Sequence, residues 1–408
     1  MKTKMFLTSM LVMSLALPAY ATEGTLQTAA GATSVANGCK QDPLTSAQVA
    51  ANAASFTAQW SAHSWQVSFN GNGSTAGSKS AVTCTYDQSC DLTNTPTASG
   101  FNKTGHTFNG WAKSSASGTA VNATNAVHNE LYTVNGTSNG GTDVTLFAKW
   151  TPNVYTITLD PKHYANSSAS ATANSPTSNG TTTIYEKYGV GYYKESGATT
   201  QITTSVAYGT LPTYTGYTFG GYWTTKSGTG TQILDGSGKL KSGASTTQFS
   251  SNGTLFAKWT ANAHTIAYNC GSGSGTPSTT PQNINFNDTF TLQNAVSGSG
   301  NAAAVAGCSK VGYHATSWTC KYLDGANGTA STTLTSGDTY NKDVNATCTL
   351  GWAANTIDLS WALDGGSSTA TNTGDGGSAK TCTYDGNITL PNAEPTKTGY
   401  TFSGWKLD

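Results

Sequence analysis

GYTFGGYW, Gly216–Trp223, sets three kinds of aromatic ring among glycines within eight residues, and variants of it recur along the chain. GHTFNGW stands at Gly105–Trp111, the worn GYHATSW at Gly312–Trp318, and GYTFSGW at Gly399–Trp405. A second motif follows three of the four copies: LFAKW at Leu146–Trp150, LFAKW at Leu255–Trp259 and CTLGW at Cys348–Trp352. FTAQW at Phe56–Trp60 resembles the end of an earlier, degenerate copy. Internal repetition at this spacing indicates an array of small modules rather than one large core.

Each terminal tryptophan is followed closely by an alternating segment: WQVSF from Trp65, YTITL from Tyr155, HTIAY from His264 and TIDLSW from Thr356. Alternation rich in β-branched and aromatic residues is the signature of a half-buried strand. A module thus opens on one strand and closes on another, the closing strand presenting Leu146, Ala148 and Trp150 on one face and Phe147 and Lys149 on the other. A third element lies between, around Tyr86, Tyr208, Phe286 and Tyr384, and reads as a strand, a tight turn and the start of a partner strand. The alanine-rich stretch Thr45–Ala58 is the best helix candidate. Ser/Thr/Gly/Asn tracts such as 166–182, 271–280 and 365–378 are too polar for a core and read as surface loops.

Within the aromatic motif, Tyr217 and Phe219 share a strand face, and Gly216 suits a turn with positive φ. The inner glycine, Gly110, Gly221 or Gly404, allows a bulge that redirects the ring after it. The expected repeat core is Phe108, Trp111, Trp150, Tyr217, Phe219, Trp259, Trp352, Tyr400, Phe402 and Trp405. Rings that each bury roughly 150–250 Å² would stabilise modules so polar elsewhere. The competing reading of such rings is an exposed sugar-stacking platform.

GYTFxGW followed by LFAKW, with an opening YTITL strand, resembles the Listeria–Bacteroides repeat, also called the InlB B-repeat. The resemblance runs from about Trp65 to Asp408. It implies a mainly β chain of tandem small β-grasp-like modules with long polar loops, strung along bacterial surface proteins as a spacer or in contact with other molecules. The family carries no general catalytic residues. The long polar insertions and the cysteines depart from its pattern.

Charged residues make up only 10% of the chain, and 20 Lys+Arg balance 20 Asp+Glu. No basic field is available for nucleic acid. Lys2 and Lys4 precede an apolar run to Leu17, and Ala19-Tyr20-Ala21 supplies small residues, which reads as a signal peptide cut after Ala21. No later stretch is long and apolar enough to span a bilayer. The expected division is 1–21 signal peptide, 22–64 N-terminal segment, 65–153, 154–262 and 263–354 for three repeats, and 355–408 for a truncated fourth.

Eight cysteines in an exported chain point to disulfides. Cys84 aligns with Val206, Ile284 and Cys382, and Cys90 with Phe290 and Ile388, so a Cys84–Cys90 bridge across a tight turn is expected. Cys270, Cys308, Cys320 and Cys348 fall in the third repeat, where two bridges are expected without their pairing being fixed. Cys39 has no evident partner, and Cys382 is either a thiol or paired elsewhere.

No histidine pair has metal spacing, and the near-motifs GSGSG and GSGK lack the residues of a nucleophile elbow or phosphate loop. No catalytic, cofactor or metal residue is assigned. The expected function is a non-enzymatic secreted or cell-surface repeat protein, a spacer or adhesion module facing an unidentified protein or glycan. Two alternatives stand beside it: the accessory region of an extracellular enzyme whose catalytic domain lies beyond Asp408, and a carbohydrate-binding module using Phe147 and Phe256. Because only three residues follow Trp405, without a closing strand, the last module reads as unfinished and the chain as a fragment.

Overall fold

In the computed structural model, the described residues are 60–95, 100–133, 141–168, 170, 172–278, 280–370 and 380–407. The signal peptide, the candidate helix Thr45–Ala58, Cys39 and all of FTAQW but Trp60 lie outside them. The protein is mainly β, and its turns include short 3-10 segments such as Asn129–Leu131 and Lys226–Gly228. It divides into two compact units, residues 1–102 with 110–149, and residues 103–109 with 150–408.

Three mixed sheets share one strand order. In the second, the hairpin strand Thr183–Lys187 pairs with the opening strand Val154–Asp160, which pairs with the closing strand Gly253–Ala261. The aromatic strand Tyr217–Trp223 and the short strand Gln232–Leu234 follow. The third sheet repeats this with Gln282–Asn285, Ala263–Asn269, Ala346–Ala354, Tyr313–Tyr322 and Thr333–Leu334. The first does so with Val82–Thr85, Ser64–Asn70, Val144–Pro152, His106–Lys113 and Ala120–Val121. Opening and closing strands run parallel in all three, as in Val67↔Val144, Ile157↔Gly253 and Ile266↔Ala346. In the second and third sheets the closing strand runs antiparallel to the aromatic strand.

The closing strand is thus the centre of each sheet, which explains its composition. Alternate residues Leu146 and Ala148, or Leu255 and Ala257, are at most 1% exposed, while Phe256 and Lys258 keep partial contact with solvent on the other face. Ile157, Ile184, Tyr192, Ile202 and Tyr222 complete the core of the second sheet. Ile266, Ile284, Phe290, Tyr340 and Cys348 are central to that of the third.

The inner glycine of the aromatic motif makes the bulge. Register shifts between Phe219 and Tyr222, where Gly221 has φ +99° and a Cβ would strike backbone around Leu234 and Asp235. Counting through that bulge puts Tyr222, fully buried, at the place of Trp111. Trp223 falls one residue further on, with the Lys258 ammonium 4.9 Å from its ring centre.

Disulfides join Cys84 to Cys90, Cys270 to Cys308 and Cys320 to Cys348. The last links directly opposed residues of the aromatic and closing strands. Cys382 is a half-buried free thiol. Beyond the turn at Asp87 (φ +60°), the expected partner strand takes another direction. Ser89–Asp91 pairs with Asn125–Val127, not with Val82–Thr85.

Strand register also corrects one alignment. Cys84 faces Trp65, Glu186 faces Tyr155, Ile284 faces His264 and Cys382 faces Ile357. The residue in the second sheet is therefore Glu186; Val206 is 40% exposed and belongs to a loop. Six residues on stand Cys90, Tyr192, Phe290 and Ile388. One position pair thus holds a disulfide, a Glu–Tyr contact, an Ile–Phe contact and a Cys–Ile pair in the four copies. Sheet geometry fixes the place, and several chemistries fill it.

Glu186 is the costly solution. It is fully buried; one carboxylate oxygen accepts the Phe249 N–H at 3.1 Å and the other has no hydrogen-bond partner. Burial pushes its carboxyl up to about 7, against the weaker opposing pull of the donors near it, the Phe249 N–H first. Folding therefore takes up a proton here, and stability from this group is lost as pH rises from the unfolded carboxylate range through about 7. Burial of His163 shifts that ring down and acts in the opposite sense, so the variant difference is the clean readout. Glu195 and Asp324, held low by Thr199 and Thr332 hydroxyls, titrate below this range. Urea midpoints of the full chain and Glu186→Gln should diverge in favour of the variant between pH 5 and 8; a constant difference would show that Glu186 is not protonated on folding.

Candidate functional site: the glycine–aromatic joints

Consecutive sheets are connected by a single residue. Asn153 separates Val144–Pro152 from Val154–Asp160, Asn262 separates Gly253–Ala261 from Ala263–Asn269, and Asn355 separates Ala346–Ala354 from Thr356–Leu359. In each case both backbone groups are bonded. The N–H donates to the first glycine of the preceding aromatic motif: Asn153 to Gly105 O at 2.9 Å, Asn262 to Gly216 O at 2.9 Å, Asn355 to Gly312 O at 2.8 Å. The carbonyl accepts from an aromatic residue just past the next hairpin strand: Tyr188 at 3.0 Å, Phe286 at 2.8 Å, Tyr384 at 2.8 Å. All of these residues lie in the second unit, which includes 103–109.

The side chains complete the arrangement. Asn153 Oδ1 accepts from Thr107 Oγ1 at 2.6 Å, and Asn262 Oδ1 from Thr218 Oγ1 at 2.7 Å. His314 Nδ1 lies 3.0 Å from Asn355 Oδ1. The asparagine at Asn262 also donates to the Asp343 carboxylate at 2.9 and 3.1 Å, and His264 Nε2 sits 3.0 Å from the same group.

Over each glycine lies the ring of that aromatic residue. A Cβ on Gly105, Gly216 or Gly312 would come closer than 3 Å to the ring of Tyr188, Phe286 or Tyr384 respectively. These glycines have φ of +69°, +78° and +76°, so both the backbone and the close approach require glycine. The next residue of the motif meets the same ring edge-on: His106–Tyr188 at 5.7 Å, Tyr217–Phe286 at 5.6 Å and Tyr313–Tyr384 at 5.8 Å. Such edge contacts contribute about 0.5–1.5 kcal/mol each beyond buried area. Tyr313 Oη further donates to Asp385 at 3.0 Å.

The ten expected core rings do not all lie in a core. Phe108 meets Trp150 at 5.6 Å and Phe219 meets Trp259 at 5.4 Å, opposite each other in the latter case by register. Trp111 is fully buried, and its indole N–H donates to Leu92 O at 2.7 Å. Trp259 and Trp352 donate to Pro161 O and Cys270 O at 2.9 and 2.7 Å. Tyr217 belongs to the joint, stacked on Tyr214 with centroids 4.5 Å apart as well as touching Phe286. Phe402 and Trp405 pack on each other at 5.3 Å, while Tyr400 is 73% exposed.

Sequence reasoning put Tyr208 in register with Phe286 and Tyr384. Tyr188 holds that place, and Tyr208 is a core ring 5.9 Å from Tyr222. The tract YEKYG carried the signal, since it places an aromatic and a turn glycine after a strand, as INFND does. Of the proposed sugar-stacking rings, Phe147 and Phe256 are half-buried, and Phe256 meets the Tyr164 ring edge-on at 5.8 Å. Among the described residues, no group of three His, Cys, Asp or Glu side chains is placed to hold a metal ion.

If the ring contact carries energy, Gly216→Ala should destabilise the chain by roughly 2–3 kcal/mol, strain and overlap together. Gly399→Ala has a similar φ of +84° but no heavy atom within 4 Å, and should cost about 1 kcal/mol. Phe286→Ala should relieve part of the Gly216→Ala penalty in a double-mutant cycle read by urea denaturation. Equal costs at the two glycines with additive energies would remove the ring contact from the account.

Two stretches, residues 65–149 and 360–408, match the family model of the Listeria-Bacteroides repeat domain. No curated protein matches the chain. The second and third sheets, which lie outside those stretches, contain the strand order of the first. Residues 65–149 and 360–408 of the chain are thus similar to the Listeria–Bacteroides repeat domain.

Proposed function

We propose that this chain is a non-enzymatic secreted or cell-surface protein that works as a stiffened spacer, with its long polar loops as the surface offered to other molecules. The repeat family and the three disulfides are consistent with an extracellular protein. One observation carries the spacer reading: single-residue linkers whose N–H and C=O are both hydrogen-bonded, under a ring that only glycine admits. A flexible tether would use several Gly or Ser residues with free backbone groups. In the same proposal the modules are 65–153, 154–262, 263–354 and 355–408, with a leader cleaved after Ala21. Any external protein or glycan is met only by weak contacts through those loops.

Presented on arrays of glycans and extracellular matrix proteins, the purified chain should show no saturable binding tighter than roughly 100 μM, a weak-contact affinity. Saturable low-micromolar binding that disappears when loop 271–280 is shortened would replace the spacer by an adhesin. Turnover of any member of a polysaccharide and peptide panel would overturn the non-enzymatic reading.

A further inference from the structure

The chain enters and leaves each of the first three sheets by neighbouring strands. The opening strand Val154–Asp160 and the closing strand Gly253–Ala261 run parallel and pair from Ile157↔Gly253 to Asp160↔Phe256. The third sheet pairs Ile266↔Ala346 to Asn269↔Thr349, and the first Val67↔Val144 to Asn70↔Phe147. In the fourth sheet the described pair, Thr356–Leu359 with Lys380–Thr383, is antiparallel.

Parallel pairing decides how a pull along the chain is borne. Tension enters at the first residue of an opening strand and leaves at the last residue of the closing strand. Those residues lie at opposite ends of the pair, so the strands are drawn past each other and the whole ladder shares the load. Pulling on one end of an antiparallel pair would instead open its bonds one after another. The closing strand is also paired on its far side, from Tyr217↔Ala261 to Trp223↔Phe256. The opening strand is likewise held by the hairpin strand, from Thr183↔Thr158 to Lys187↔Val154. Sliding either strand out breaks two ladders at once. Asn262 alone joins this closing strand to the next opening strand, and its N–H and carbonyl are both bonded, so tension passes on without slack.

Disulfides set how far each module can lengthen. The second, 154–262, contains no cysteine and can be drawn out over its whole length. In the third, Cys270–Cys308 and Cys320–Cys348 are covalent shortcuts. A taut path there runs through 263–270, 308–320 and 348–354, leaving 271–307 and 321–347 as closed loops. At full extension the second module spans roughly 380 Å and the path through the third roughly 100 Å. Cys84–Cys90, six residues apart, shortens the first very little.

We infer that the chain has a load-bearing function, its modules resisting tension in shear and the two disulfides of the third stopping its extension early. The inference rests on the spacer reading, because a load reaches these strands only through a chain that connects two bodies.

Single-molecule force spectroscopy on the full chain tests it. Azide-bearing side chains in place of Val154 and Thr260, both exposed, pull the second module along its strands. The same handles in place of Val154 and Val190 peel the hairpin strand from the opening strand at one end. At equal pulling speed the first pair should rupture at no less than twice the force of the second, since forced unfolding reads the barrier. Urea midpoints matching the unmodified chain show that the handles leave the fold intact. Should a handle disturb it, the unmodified chain pulled by its ends gives a second arm. One short step should then lengthen by roughly 220 Å when a reductant acts on the extended module. Equal rupture forces in the two directions would overturn the inference and leave the spacer reading, tested by binding, in place. Steps that reductant does not lengthen would overturn the extension stop.

Discussion

Everything distinctive in this chain turns on one residue between sheets. Asn153, Asn262 and Asn355 each bond backward to a glycine carbonyl and forward to an aromatic N–H, leaving no rotatable spacer between two strands. The glycine is then forced twice, by positive φ and by a ring lying where a Cβ would be. From that constraint follows the motif spelling: glycine first, an edge-on ring or imidazole next, then Thr107, Thr218 or His314 to hold the asparagine side chain. Phe108 and Phe219 then turn inward to the closing tryptophan. The motif is therefore shared by two structures, a joint at its start and a core at its end.

Much of the fold could be read in the sequence because alternation and aromatic spacing report directly on strands. Leu255-Phe256-Ala257-Lys258-Trp259 alternates with the burial it shows. The parallel pairing of opening and closing strands was not legible, since a period of two carries no information about which strands meet or in which direction. The joint was hidden for the same reason: Gly216 and Phe286 are 70 residues apart, and each has a sufficient local explanation as a turn glycine or a strand-end ring. Loop length also defeats counting by motif: the long second hairpin drew attention to Tyr208 instead of Tyr188.

The paired position on the hairpin shows how loosely composition is tied to place. Cys84–Cys90 is covalent, Ile284 and Phe290 share an apolar core, and Glu186 sits beside Tyr192 with its carboxyl raised by burial. Covalent closure of so short a loop constrains the unfolded chain modestly, while a buried carboxyl adds a pH-dependent cost. Cys382 and Ile388 occupy the same place in the fourth sheet, where the core is incomplete on its open side. The alignment expected from sequence alone put Val206 here, because a glutamate is the last residue one assigns to an apolar site.

The central claim is that these linkers are fixed parts of the sheets they connect. Native-state hydrogen exchange resolved to individual amides tests it most directly. The amides of Asn262 and Phe286 should exchange as slowly as those of the adjoining strands, within about tenfold, because opening either requires breaking the joint. Exchange of both at the rate of an exposed loop, while Leu255 and Ile266 stay protected, would contradict it and return the linkers to simple hinges.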